Sequence, residues 1–162
     1  AQLVRDMGAI MSPQNAFISF LGCDTLALRM ERHSSNAAKV AKFLSESDKI
    51  DWVLHPSLEN NKYHALARKY LPDGQGGMLS FGVKGNVKDA AKFMEALRLV
   101  TQETHVADTR SCVLHPASTT HRQLSKEELA AAGVPENLIR LSVGIENPDD
   151  IIEDLKQALQ KI

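Results

Sequence analysis

Two stretches of strict period-two alternation, set among segments of helical period, constrain this chain more than any other feature. In Gly76-Gly77-Met78-Leu79-Ser80-Phe81-Gly82-Val83, Leu79, Phe81 and Val83 fall on one side, and Met78, Ser80 and Gly82 on the other. Successive side chains of a strand point to opposite faces, so this pattern predicts a strand with one face against a helical layer. Leu138–Val143 alternates in the same way, and Ile50–Leu54 and Ser111–Leu114 read as shorter strands. Between them the period changes. A long helical stretch runs from about Gln14 to Glu46, with Phe17, Phe20, Leu21, Leu28, Val40, Phe43 and Leu44 mostly at helical spacings and a bend or close approach at Gly22. Its polar part, Arg29–Lys39, should turn one face to water. Asn61–Tyr70 reads as a helix stopped by Leu71-Pro72-Asp73-Gly74. Val87–Leu99, Ser125–Ala132 and Asp149–Gln160 follow, the second opened by a capping box of Ser125 and Glu128. Strands alternating with helices predict an α/β layer architecture, one sheet with helices packed on it, in a single domain over residues 1–162.

The bulk numbers narrow the class. Hydrophobic residues make up 43% and charged residues 24% of 162, a globular profile with enough length for one sizeable core. Nineteen basic residues against twenty acidic ones leave a net charge of −1, which supplies no general attraction to nucleic acid or to an anionic membrane. No apolar run approaches the length that crosses a bilayer. The chain opens on AQLVRDMGAI, neither a starting Met nor a signal peptide, and is expected to be a fragment. Cys23 and Cys112 stand far apart in no metal-ligand or redox spacing. They are expected to be small buried packing residues in a reducing compartment, with the cytoplasm as the address.

Chemistry is suggested at two places. The stretch 107–121 carries hydroxyls, two His and a Pro with little apolar periodicity, as a loop that lines something would. The second place is Arg140, inside the apolar strand Leu138–Val143 and on the same side as Leu138 and Ser142. A guanidinium there must reach solvent or find a partner, and its planar fork matches a carboxylate bidentately. On the residues alone, a solvated or salt-bridged arginine is the commoner reading. His115 and His121 have no standard zinc spacing, so no metal site is expected. Ser111 has no nucleophile-elbow context. Gly74-Gln75-Gly76-Gly77 precedes a strand rather than opening a helix, which favours a turn over a phosphate cradle.

At these same residues the chain resembles the pyridoxal-phosphate enzymes of cysteine and methionine metabolism. The resemblance runs from Met11-Ser12-Pro13-Gln14-Asn15-Ala16-Phe17, through Thr25-Leu26-Ala27-Leu28-Arg29-Met30-Glu31-Arg32-His33, to Arg140-Leu141-Ser142-Val143-Gly144-Ile145-Glu146. The run His115-Pro116-Ala117-Ser118-Thr119-Thr120-His121 is its most specific signature. Thr119, together with Gly-Gly-Met-Leu-Ser-Phe at 76–81, looks most like the O-acetylhomoserine sulfhydrylase branch. The resemblance implies the small C-terminal domain of such an enzyme, a two-layer α/β fold with a mostly antiparallel sheet and helices on one face. Residues 1–12 would be the end of the connection from a larger N-terminal cofactor domain. It implies that Arg140 binds the α-carboxylate of the amino-acid substrate and that Ser111 contributes to the same carboxylate site.

The departures are as informative. The family's Schiff-base lysine lies in a Ser-x-Thr-Lys type segment that this chain lacks, and Lys39, Lys42, Lys49, Lys88 and Lys92 sit on predicted helix faces or ends. No catalytic and no cofactor-binding residue is therefore expected here. The implied full-length protein is a homo-oligomeric sulfhydrylase that carries pyridoxal phosphate and makes homocysteine by γ-replacement, and this chain alone would be inactive. A cystathionine or methionine γ-lyase, or a cystathionine γ-synthase, is the alternative within the family. A non-catalytic carboxylate- or partner-binding module is the alternative outside it.

Overall fold

The apolar sides of the alternating segments meet in one five-stranded sheet. The computed structural model describes residues 2–162. Its strands are β1 (Ile50–Leu54), β2 (Met78–Val83), β3 (Thr101–Gln102), β4 (Cys112–Leu114) and β5 (Leu138–Ser142), ordered β1-β2-β5-β4-β3. The pairings β1–β2, β2–β5 and β4–β5 are antiparallel and only β3–β4 is parallel. The sheet is thus mostly antiparallel, as expected. Arg140 stands opposite Ser80 on one side and Leu114 on the other, in the central strand.

Seven α-helices lie among the described residues: α1 (Gln2–Met7), α2 (Pro13–Asp24), α3 (Leu26–Ser45), α4 (His64–Tyr70), α5 (Val87–Ala96), α6 (Lys126–Ala131) and α7 (Pro148–Leu159). The sheet contributes Leu79, Phe81, Val83, Val113, Ile139 and Leu141 to the core. Ala37, Val40, Ala41 and Leu44 of α3 meet them, with Phe93 of α5 and Ile151 and Leu155 of α7. Phe81 and Phe93 meet edge to face, with ring centres 5.8 Å apart. Fully burying side chains of this size contributes about 1.5–3 kcal/mol each, which holds these helices on the sheet. Local signals set where the helices start. Ser125 and Glu128 form the expected capping box of α6, Asn86 and Asp89 form another on α5, and Asn147 caps α7 just before Pro148.

Three expectations needed correction. The single helix over 14–46 is two helices that meet at Thr25, where ψ rises to 7° and no side chain caps the next turn. β-Branched Thr and the preceding Asp24 are weak helix formers, so the break falls there rather than at Gly22. None of α2 is buried, so Phe17, Phe20 and Leu21 face outward, and so does Cys23, which is not the buried packing residue expected. Cys112 is buried, and desolvation raises its thiol pKa. Finally, β3 went unpredicted, because a two-residue strand carries no readable period.

Candidate functional site

Arg140 emerges half-buried on the face of β5 opposite the core, beside Ser142. Its Nη2 donates to the carbonyl of Thr104 at 3.2 Å. That carbonyl belongs to a strap, residues 103–110, tied to the end of β5 at two points. The Ala107 N–H donates to Ser142 Oγ at 3.1 Å, and the Ile145 N–H donates to Thr109 O at 2.9 Å. The strap is braced by charge. Asp108 Oδ1 accepts from the Arg110 backbone N–H at 2.9 Å and from its Nε at 3.4 Å. The Arg110 N–H above all, then its side chain, lowers the Asp108 carboxyl to a pKa of about 2. His105 Nδ1 lies 3.1 Å from Glu103 and 3.4 Å from Asp108. Ala107 takes φ 60°, a left-handed conformation that costs a residue with a Cβ of order 1 kcal/mol and marks a bend held by its surroundings.

Behind the strap lies a buried polar network. Ser111 Oγ donates to Glu146 Oε2 at 3.0 Å and accepts from the Gly144 N–H at 2.9 Å, while the Ser111 N–H donates to Glu146 Oε1 at 2.6 Å. From α3, His33 Nδ1 meets Val143 O at 2.6 Å. A carbonyl only accepts, so Nδ1 carries the proton. Asn36 Nδ2 donates to the carbonyls of Gly144 and Glu146, at 3.0 and 2.8 Å. A Cβ on Gly144 would collide with the Glu146 carboxylate and the Thr109 carbonyl, so only glycine lets strap and network close this tightly.

The two residues expected to share a site have separate hydrogen-bond partners and do not bond each other. Ser111 is wholly buried with its hydroxyl engaged on Glu146 and Gly144, and Arg140 reaches the strap on the other face. The histidines of the signature run do structural duty. His115 is buried between Ser118 Oγ and the Glu136 carbonyl, both at 2.8 Å, so the run folds into a 3-10 turn at Pro116–Ser118 clasped to the approach to β5. Thr119 Oγ1 donates to the His115 carbonyl at 2.8 Å. His121 stands beside Thr120. Among the described residues no group of three or more His, Cys, Asp or Glu side chains is arranged to hold a metal ion. No helix there is long and apolar enough to cross a membrane.

The sequence reading missed His33, Asn36 and Glu146. A signal existed for the first two. Residues 33, 36, 37, 40, 41 and 44 form one helical stripe, and all six are buried, so the polar pair sat on the face that Ala37, Val40, Ala41 and Leu44 carry inward. Glu146 offered none, since its partner Ser111 is 35 residues away. Every lysine is exposed on the surface.

The sequence matches the family described as Cys/Met metabolism PLP-dependent enzyme over residues 1–160. It is 48% identical to the O-acetyl-L-homoserine sulfhydrylase of Leptospira meyeri, across 99% of this chain and 37% of that protein. It is 47% identical to the homocysteine synthase of Schizosaccharomyces pombe, across 98% and 37%. Among solved structures, a putative O-acetylhomoserine (thiol)-lyase from Campylobacter jejuni, bearing a pyridoxyl-lysine phosphate, superposes with a TM-score of 0.88 at 46% identity. That match covers 97% of this chain and 37% of the other. The chain therefore spans little more than a third of the length of these relatives.

Proposed function

The chain belongs to the pyridoxal-phosphate-dependent enzymes of cysteine and methionine metabolism, and on that premise we propose that it forms the carboxylate-binding half of an O-acetylhomoserine sulfhydrylase site. The full-length protein would be a transferase that replaces the acetyl ester of O-acetylhomoserine with sulfide to give homocysteine. The observation that carries this reading is Arg140, a half-buried guanidinium in the central strand whose strap holds it by one carbonyl. The likeness to sulfhydrylases and homocysteine synthases supports the branch.

In the whole enzyme, pyridoxal phosphate supplies an electron sink for the bonds at Cα and Cβ of the substrate. Its lysine is assigned to the larger domain of the same polypeptide. The work of this chain is orientation. Arg140 grips the α-carboxylate through two parallel N–H donors, which fixes which bonds of the substrate face the cofactor. Ser111 contributes from behind by holding Glu146 and the Gly144 N–H, and so the end of β5, in place. The enzyme is further proposed to be a cytoplasmic homo-oligomer, and residues 1–162 alone to be inactive.

The test is product analysis of the full-length protein with O-acetylhomoserine and sulfide, beside residues 1–162 alone. Homocysteine from the full-length protein only, dependent on sulfide, is the expected result. Ammonia and a keto acid released without sulfide would make the enzyme a γ-lyase and sink the branch assignment. Turnover by residues 1–162 would overturn the assignment of the lysine elsewhere.

A further inference from the structure

The strap beside Arg140 is fastened at its two ends and sparingly between them. At one end the Glu103 N–H donates to the Val113 carbonyl at 3.1 Å, and at the other the Ile145 N–H donates to the Thr109 carbonyl at 2.9 Å. Among the described residues, 104–108 hydrogen-bond to the chain outside the strap at two points. One is the Thr104 carbonyl, which accepts from Arg140 Nη2, and the other is the Ala107 N–H, which donates to Ser142 Oγ at 3.1 Å. The side-chain bonds of His105 and Asp108 stay within the strap. Ser142 is buried and shares its face of β5 with Arg140, two residues on and about 7 Å along the strand. The bend it holds is strained, since Ala107 stands at φ 60°, a conformation that persists only where the surroundings impose it. Two side chains of one strand face thus hold the middle of the strap, and one of them is the guanidinium assigned to the substrate.

We infer that Ser142 is a positioning residue for the carboxylate clamp: its Oγ pins the strap at Ala107, which sets the Thr104 carbonyl where it fixes one end of the Arg140 guanidinium. The inference rests on the reading of Arg140 as that clamp. Its physical basis is preorganisation. Arginine carries a long, rotamer-rich side chain, and affinity is lost when binding itself must order such a group. A strap held in its middle by Arg140 alone would move with the guanidinium and could not fix its direction. Ser142 gives the strap an anchor independent of both the guanidinium and the substrate. That anchor is held still, because β5 is the central strand and Ser142 stands opposite Met78 of β2 and Cys112 of β4. An alanine in its place would leave the Ala107 N–H without its acceptor and the left-handed bend without one of the groups that impose it. The donors of Arg140 not spent on Thr104 remain for the carboxylate.

The test uses the full-length holoenzyme and measures kcat/KM for O-acetylhomoserine, with KM for sulfide and cofactor content alongside. Ser142→Ala is expected to lower kcat/KM for the amino-acid substrate about fivefold and to leave the other two unchanged. Amide hydrogen exchange should quicken in the peptide that spans 103–110 and not in the rest of the sheet. Ser142→Thr keeps the acceptor, and the cavity that Ser142 lines with Met78 and Val106 has room for the added methyl, so this variant should stay within about twofold of wild type. A double-mutant cycle then asks whether Ser142 acts through Arg140. In the Arg140→Ala background, Ser142→Ala should cost nothing further. The same fivefold loss in both backgrounds overturns the inference, and so does wild-type kcat/KM or unchanged exchange at 103–110 in Ser142→Ala. In each of these cases the clamp reading stands as long as Arg140→Ala alone loses activity. Wild-type kcat/KM in Arg140→Ala alone overturns the clamp reading and the inference with it.

Discussion

A guanidinium that is to recognise a carboxylate has to be fixed in direction yet keep donors free, and the surroundings of Arg140 meet both needs. One nitrogen is restrained by the Thr104 carbonyl, and the strand beneath is held on both sides by β2 and β4. Truncation, Arg140→Ala, is expected to cost on the order of 2–5 kcal/mol in kcat/KM, because it leaves a desolvated substrate carboxylate without its partner. Arg140→Lys should recover only part of this, since an ammonium offers charge without the bidentate fork. Steady-state kinetics of the full-length enzyme, with cofactor content measured alongside, checks both, and wild-type kcat/KM in either variant would remove Arg140 from the site. Arg140 was legible because a charge interrupting an apolar alternation stands out at one position. The partner of Ser111 was not, because a serine at the start of a strand looks the same whatever it meets, here a glutamate brought in from 35 residues away.

At the scale of elements, two buried polar side chains join segments that hydrophobic burial alone would leave loosely related. Asp154 of α7 is buried and accepts from three backbone N–H groups beyond α5: Arg98, Leu99 and Val100, each within 3.2 Å. Asp154→Ala leaves those donors unpaired and is expected to destabilise the fold by about 2–3 kcal/mol, read as a lower urea midpoint with an unchanged slope. A loss below half of that would show that water replaces the carboxylate. His55 ties the end of β1 to the approach to β2, through Ser57 Oγ at 2.7 Å and the Gly76 carbonyl at 3.3 Å. Desolvation lowers its pKa from the ordinary 6.5, partly offset by the Gly76 carbonyl. Below pH 6.5 the unfolded chain therefore binds a proton that folded His55 resists. Its contribution to stability is complete above pH 6.5 and shrinks as the pH falls through and below that value. His55→Gln should flatten the decline of Tm between about pH 6.5 and 5, and a slope equal to wild type would clear His55 of it.

Taken whole, the molecule is well packed at one end and bare at the other. The sheet with α3, α5 and α7 encloses the core, whereas α1, α2 and the link between them bury nothing and expose Leu3, Met7, Ile10, Phe17, Phe20 and Leu21. So large an apolar surface favours association, and residues 1–162 alone should run above monomer mass in light scattering, with Phe17→Ser/Phe20→Ser shifting them back. A monomer at high concentration would contradict this. The strands β2 and β5, the capped start of α6, the resemblance to the family and the interrupting arginine could all be read from the chain alone. Each of these is written in neighbouring residues, as a period, a cap or a contiguous motif. The break at Thr25, the outward turn of Cys23, the Ser111–Glu146 pairing and the unpartnered Nε2 of His33 emerged with the folded chain. All four depend on what one segment finds, or fails to find, when a distant segment folds against it. Burial and partnership are properties of that meeting, and no local pattern encodes them.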